Sequence, residues 1–224
     1  MLVPGWDVAS SEAAFELATR HAGVIDAAVG IHPHYASTAH EAVWDRIEAL
    51  AAETGVAAIG EIGLDFHRNL SPPDVQRAAF QRQLEIARRV AKPVLVHDRE
   101  AHDAIGDELT AWAGPDGRAH KGVMHAFSGD AALATRLTAV GFFISFALPV
   151  AFRSAQGPRA AAVQLPATAI LVETDAPYLG PDRERRNEPT TALRVLAELA
   201  RLRGSDADEL AGSIGANYAR LLRG

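Results

Sequence analysis

The feature that most constrains this chain is a rhythm. Short apolar runs of strand length alternate with longer stretches patterned as helices, and His, Asp, Glu or Ser follows nearly every run. The strand candidates lie at about 1–3, 25–31, 56–62, 93–97, 121–125, 141–146 and 168–173. Helical patterns fall at 11–22, 40–53, 72–91, 101–113 and 130–140, and the tail holds two or three more. Runs such as VAAIG and PVLV are apolar at every position, as in strands buried on both faces of a parallel sheet. Strands alternating with helices predict a parallel sheet covered by helices. An open nucleotide-binding sheet would need a glycine-rich phosphate turn after its first strand, and none is present. The expected fold is therefore α/β, a TIM-type barrel, with residues 1–224 as a single domain.

Local signals sharpen some boundaries. In the third helical stretch Phe80, Leu84, Ala87 and Ala91 recur at helical spacing, with Arg and Gln assigned to the outer face. Ser71-Pro72 reads as its N-cap and first-turn residue. Ser205 with Asp208 reads as a capping box for the last helix.

The polar residues gather after the strands. IDAAVGI is followed by His32 and His34, VAAIG by Glu61 and Asp65, and PVLV by His97, Asp98 and Arg99. GVM is followed by His125, FFI by Ser145, and ILV by Glu173, Thr174 and Asp175. In a (β/α)₈ barrel the C-terminal strand ends form the mouth where active sites sit. Imidazoles and carboxylates gathered in apolar surroundings are costly unless paired or metallated. A mixed His/Asp/Glu set suits a borderline divalent cation such as Zn²⁺ or Mn²⁺. Taken singly each residue has a plainer reading. A strand-end His can be a hydrogen-bonded structural residue, Glu61 can pair with Arg68 or Arg99, and Asp175 can be a turn residue. The shared position of Glu61, His97, His125 and Asp175 is what favours a metal site.

Composition limits the alternatives. The chain has no cysteine, which excludes disulfides and thiolate metal sites. Its net charge is −6, unlike a protein that coats nucleic acid, so contact with nucleic acid is expected to be local and transient. No basic leader precedes an apolar stretch, and no run approaches the roughly 20 apolar residues of a membrane span. A cytoplasmic protein with no membrane partner is the expectation.

The motifs GIHPH, GEIGLDFHR, PVLVHDREAHD, MHAFSGD, LVETDAPYL and RRNEP, in this order, resemble the TatD family of metal-dependent deoxyribonucleases. The resemblance runs from about residue 3 to the C-terminus. It implies a TIM barrel related to the amidohydrolases and cleavage of DNA phosphodiesters, often exonucleolytic, by metal-activated water. It also implies divalent cations (Mg²⁺, Mn²⁺ or Zn²⁺), two in a complete site. By resemblance Glu61 bridges two metals, His97 and His125 serve one of them, and Asp175 binds the other and acts as general base. His32, His34, Asn187 and Glu188 resemble residues near the substrate. Arg99, Tyr178 and the Arg183, Arg185 and Arg186 loop are added as phosphate contacts on chemical grounds, since Arg suits phosphate by its bidentate geometry.

One family element is not found. Members of the family open with a D-x-H-x-H strand, whereas MLVPGWD resembles the second strand, and seven strand candidates stand where a barrel has eight. The first strand and helix are therefore expected to be missing. The favoured explanation is a wrong start or a clipped chain, with roughly 30 further native residues for a barrel of usual length. A shortened protein keeping one metal site (Glu61, His97, His125) and a barrel with open edges are the others. His32 and His34 form the only H-x-H, but they lie past the end of their strand and are not expected to replace the missing pair. Two rival functions stand beside nuclease: hydrolysis of another ester, amide, lactone or aminoacyl substrate, and a non-catalytic degenerate barrel.

Overall fold

The structure is a computed structural model that describes residues 1–114, 121–181 and 186–223. The chain divides into two compact units, Met1–Ile105 and Gly106–Gly224. Each is built on parallel strands covered by helices, and seven strands are found among the described residues.

The first unit contains β1 (Leu2–Pro4), α1 (Val8–Arg20), β2 (Asp26–Val29), α2 (Glu41–Ala52), β3 (Val56–Asp65), α3 (Pro73–Val90) and β4 (Val94–Arg99). Its strands run parallel in the order β1-β2-β3-β4. Consecutive residues Ala27, Ala28 and Val29 of β2 are all fully buried, as a sheet covered on both faces requires. α2 turns Trp44, Ile47, Leu50 and Ala51 inward at three- and four-residue spacing. α1 starts at Val8, earlier than its apolar pattern begins, because Asp7 and Ser10 form a reciprocal capping box.

The second unit begins within α4 (His102–Ala113). It continues with β5 (Gly122–Met124), α5 (Ala131–Ala139), β6 (Phe142–Phe146), α6 (Gln156–Gln164), β7 (Ile170–Val172), α7 (Ala192–Arg203) and α8 (Ala207–Arg223). Strands β5, β6 and β7 are parallel neighbours. Every residue of β6 is buried. Asn217, fully buried in α8, donates its amide hydrogens to the carbonyls of Ala167 and Ile170 and so ties the last helix to the start of β7.

Every strand expected from sequence is present, but several local readings change. β3 runs on to Asp65, so Glu61 lies inside a strand and not at its end. Pro72 is the N-cap of α3, one residue later than expected, while the Ser71 hydroxyl joins the Ser37 amide and the His34 carbonyl. Ala91 is not a core residue: it is exposed and closes α3 in the left-handed conformation. The cap before α8 is Asp206, whose carboxylate accepts from the amides of Asp208 and Glu209. Gln76 and Gln83 are fully buried and not on the outer face of α3. Gln83 pairs with both backbone groups of Ile31, at 2.7 and 3.0 Å, and Gln76 does the same for Asp65, at 2.8 and 3.1 Å. Each side-chain amide thus mimics a neighbouring strand at the point where β2 or β3 hands over to its polar turn.

Candidate functional site

In the first unit the polar cluster is assembled from the turn after β2, the middle and end of β3, and β4. His32 precedes a 3₁₀ segment, Pro33–Thr38, and its Nδ1 accepts from the His34 amide at 3.2 Å. His97 Nδ1 lies 2.9 Å from Glu61 Oε1, and His97 Nε2 lies 3.4 Å from Asp65 Oδ2. His32 Nε2 is 3.7 Å from the same Glu61 oxygen. His34 Nε2 meets Asp65 Oδ2 at 2.7 Å. The rings of His32 and His97 stack edge to face, with centroids 4.5 Å apart. One donor atom from each of His32, Glu61 and His97 falls within 4.8 Å of the others.

Glycine permits this closeness. Gly63 sits opposite His97 in the β3–β4 register with a φ of 143°, and a Cβ there would lie 2.0 Å from the His97 carbonyl oxygen. At Gly60, beside Glu61, a Cβ would lie 2.5 Å from Leu95 Cβ. The two glycines of GEIGLD therefore let the carboxylate strand approach the imidazole strand.

Burial sets the electrostatics. The His32 ring is driven down to a pKa of about 3 chiefly by desolvation; Glu61 opposes the fall, and His97 and His34 deepen it. His32 is thus a neutral imidazole at any ordinary pH. Burial pushes the Asp65 carboxyl up, but hydrogen bonds from His97, the Arg68 amide and His34 outweigh it and hold it below the usual carboxylate range.

The second unit carries its own cluster after β5 and β7. His125 Nδ1 is 2.8 Å from Glu173 Oε2, and the other Glu173 oxygen accepts the Ala126 amide at 2.8 Å. His125 Nε2 is 3.3 Å from Asp175 Oδ1. The acceptor-only carboxylate of Glu173 places a proton on Nδ1 and leaves the Nε2 lone pair toward Asp175. Asp175 has a φ of 57°, an uncommon conformation that Asp tolerates better than most residues.

These donor sets fit a divalent cation. Two ligands each about 2.0–2.1 Å from a metal and roughly 90–110° apart lie about 2.8–3.4 Å from each other. The His97–Glu61 and His125–Asp175 separations of 2.9 and 3.3 Å match that edge. Nitrogen and oxygen donors without sulfur suit Zn²⁺ or Mn²⁺.

Of the residues singled out in sequence, Glu61, His97, His32 and His34 meet in the first unit, and His125 and Asp175 meet in the second. Arg99 is exposed at the end of β4, in register with Asp65. Tyr178 is exposed, and so is Glu188. Asn187 lies in the segment that follows Asp175. It is buried, and it donates its side-chain amide to the carbonyls of Thr174 and Tyr178, which pins the turn around Asp175. Arg183 and Arg185 lie outside the described residues, and Arg186 is exposed. Sequence reasoning assigned no role to Glu173 or Asp65. Their only signal was an acid two residues before Asp175 and another four after Glu61.

Imidazole–carboxylate pairs on the parallel strands of an α/β protein and in the turns after them are the donor sets of a metal-dependent hydrolase. The chain belongs to the TatD related DNase family, which matches residues 1–223. It is 35% identical over 227 residues to the uncharacterized metal-dependent hydrolase YabD of Bacillus subtilis, covering 100% of this chain and 87% of that protein. It is 39% identical over 228 residues to the 3′-5′ ssDNA/RNA exonuclease TatD of Cronobacter sakazakii, covering 99% and 85%. Among solved structures, the TatD homologue YjjV of Escherichia coli superposes with a TM-score of 0.90 at 28% identity, covering 100% of this chain and 86% of that one. The fold is accordingly the α/β, TIM-barrel type of this family. No helix among the described residues is long and apolar enough to cross a membrane.

Proposed function

We propose that this protein hydrolyses phosphodiester bonds of single-stranded nucleic acid, DNA in particular, from a chain end, with residues 1–224 acting as one hydrolase domain. The observation that carries the reading is the pairing of His97 Nδ1 with Glu61, and of His125 Nε2 with Asp175, at ligand-edge separations. Relatives named as ssDNA/RNA exonucleases support the substrate class.

In this reading Glu61, His97, His125 and Asp175 hold divalent metal. A cation bound there supplies Lewis acidity, which acidifies water and offsets charge on a phosphoryl oxygen. The remaining chemistry belongs to side chains. Asp175 takes the proton of the attacking water through its carboxylate. Glu173 keeps His125 oriented. His32, neutral and with Nδ1 accepting from the His34 amide, carries its proton on Nε2 and donates to a phosphate oxygen. His34 and Arg99 in the first unit, and Tyr178, Asn187 and Glu188 in the second, are assigned to substrate binding in this reading, Arg99 as a bidentate phosphate partner. A net charge of −6 fits short contacts at a chain end and not coating of a long polymer. A cytoplasmic site of action is part of this reading.

The test is digestion of end-labelled single-stranded DNA with Mn²⁺ or Mg²⁺, by the wild type, Glu61→Ala and Asp175→Asn. Chelator-sensitive release of mononucleotides by the wild type, lost by at least 100-fold in both variants while circular dichroism is unchanged, is expected. Wild-type turnover in either variant refutes the assignment. Chelator-sensitive cleavage of an ester or lactone with none of DNA or RNA refutes the substrate.

A further inference from the structure

Asp65 is the most buried carboxylate of the first unit's cluster, 1% exposed, and its two oxygens have different tasks. Oδ1 accepts the amides of His67 and Arg68, at 3.1 and 2.7 Å, and so closes the turn after β3. Oδ2 faces two imidazoles, His34 Nε2 at 2.7 Å and His97 Nε2 at 3.4 Å. An ionised carboxylate only accepts, so His34, at the shorter distance, presents Nε2–H to it, while His97 faces a carboxylate at each ring nitrogen, Glu61 at Nδ1 and Asp65 at Nε2. A cation held between Glu61 and His97 would take the Nδ1 lone pair, on the edge of the ring that faces Glu61 at 2.9 Å, and the ring proton would then lie on Nε2, where Asp65 accepts it. The Asp65 amide and carbonyl are in turn fixed by buried Gln76, which keeps this carboxylate from turning away.

We infer that Asp65 is the positioning residue that sets the tautomer of His97, and with it that of His34, so that His97 binds metal through Nδ1. The inference rests on the metal reading given above and adds the residue that organises it. A carboxylate behind a ligating imidazole orients the ring and raises its basicity, and losing one typically costs about 10–100-fold in metal affinity.

Asp65→Asn separates this role from the structural one. The Asn carbonyl still accepts the two turn amides, which forces the NH₂ group into the place of Oδ2. A donor there requires His97 Nε2 to become an acceptor, moves its proton to Nδ1, and takes away the lone pair facing Glu61. The experiment is a Zn²⁺ titration of wild type and Asp65→Asn, with long-range ¹H–¹⁵N spectra of the imidazoles of the zinc-loaded proteins. The wild type is expected to show His97 zinc-shifted at Nδ1 and protonated at Nε2. The variant is expected to bind zinc about 10–100-fold more weakly with a native circular dichroism spectrum. Zinc on His97 Nε2 in the wild type overturns the inference, as does a folded variant with unchanged affinity. If the variant does not fold, the wild-type spectrum alone decides. A wild type with no zinc shift at His97 refutes the metal reading itself, and this is a different result from zinc bound through the wrong nitrogen.

Discussion

Replacing Gly63 by alanine probes the contact that brings Glu61 and His97 together. A Cβ at this position lies 2.0 Å from the His97 carbonyl oxygen and 2.9 Å from its carbon. Attractive contact between carbon atoms begins at about 3.5–4.0 Å, so β3 and β4 must separate by about 1 Å or more. The obstacle is backbone, not the end of a flexible side chain, and it cannot rotate away. Overpacking of this kind costs about 1–3 kcal/mol. The φ of 143° adds a backbone penalty of about 1–2 kcal/mol for a residue with a Cβ. The expected loss is about 2–5 kcal/mol, a large part of the roughly 5–15 kcal/mol typical of a folded domain. Urea unfolding measures it, with Gly23→Ala as the internal control. Gly23 also has positive φ, 83°, but nothing lies within 4 Å of its virtual Cβ, so only the backbone penalty applies. Gly63→Ala should therefore exceed Gly23→Ala by at least about 1 kcal/mol, and its affinity for Mn²⁺ should fall as well. Equal losses in the two variants would show that strand proximity at Gly63 is not what this glycine supplies.

Two further outcomes follow from buried polar groups. Gln83→Leu leaves the buried amide and carbonyl of Ile31 without their partner, at about 1–3 kcal/mol each, and should lower stability by about 2–6 kcal/mol in urea melts; a loss under 1 kcal/mol would contradict the strand-mimic role. The pH dependence of the metal-free protein has a defined sign. His32 is neutral in the fold down to about 3 but titrates at 6.5 when unfolded, so the unfolded chain takes up the proton first. Stability should be complete above pH 6.5 and fall by up to about 1.4 kcal/mol per unit as pH drops toward 3. Loss of the depressed Asp65 carboxylate adds to the fall below its unfolded value of 3.8. Urea midpoints at pH 7, 5.5 and 4.5 should show a shallower slope in His32→Gln, and an unchanged slope would assign the effect elsewhere.

Much of the scaffold was legible in the order of residues because the signals are local. An apolar run of four or five residues makes a buried strand wherever it lies, and helical spacing with a capping residue makes a helix. All seven strands, and the placing of His32, Glu61, His97, His125 and Asp175 around them, follow from such patterns. The misreadings share one cause. Gln76 and Gln83 looked like outer-face residues because polarity is the usual mark of exposure, yet each is buried against a backbone more than ten residues away. Ser71 looked like a cap, but its hydroxyl bonds His34 and Ser37. The bonds by which Asn187 holds the turn that presents Asp175 have no mark in the sequence either.

The sequence by itself determined which chemical groups this protein can bring to bear: imidazoles and carboxylates following buried strands, with no thiol among them. Only the tertiary structure decided which nitrogen of each imidazole faces which oxygen. That choice depends on contacts such as His97–Asp65 and His125–Glu173, between residues 32 and 48 positions apart, formed when the parallel strands and the turns after them come together. Tautomers are set by the donors and acceptors around a ring in space, and neither composition nor spacing along the chain encodes those neighbours.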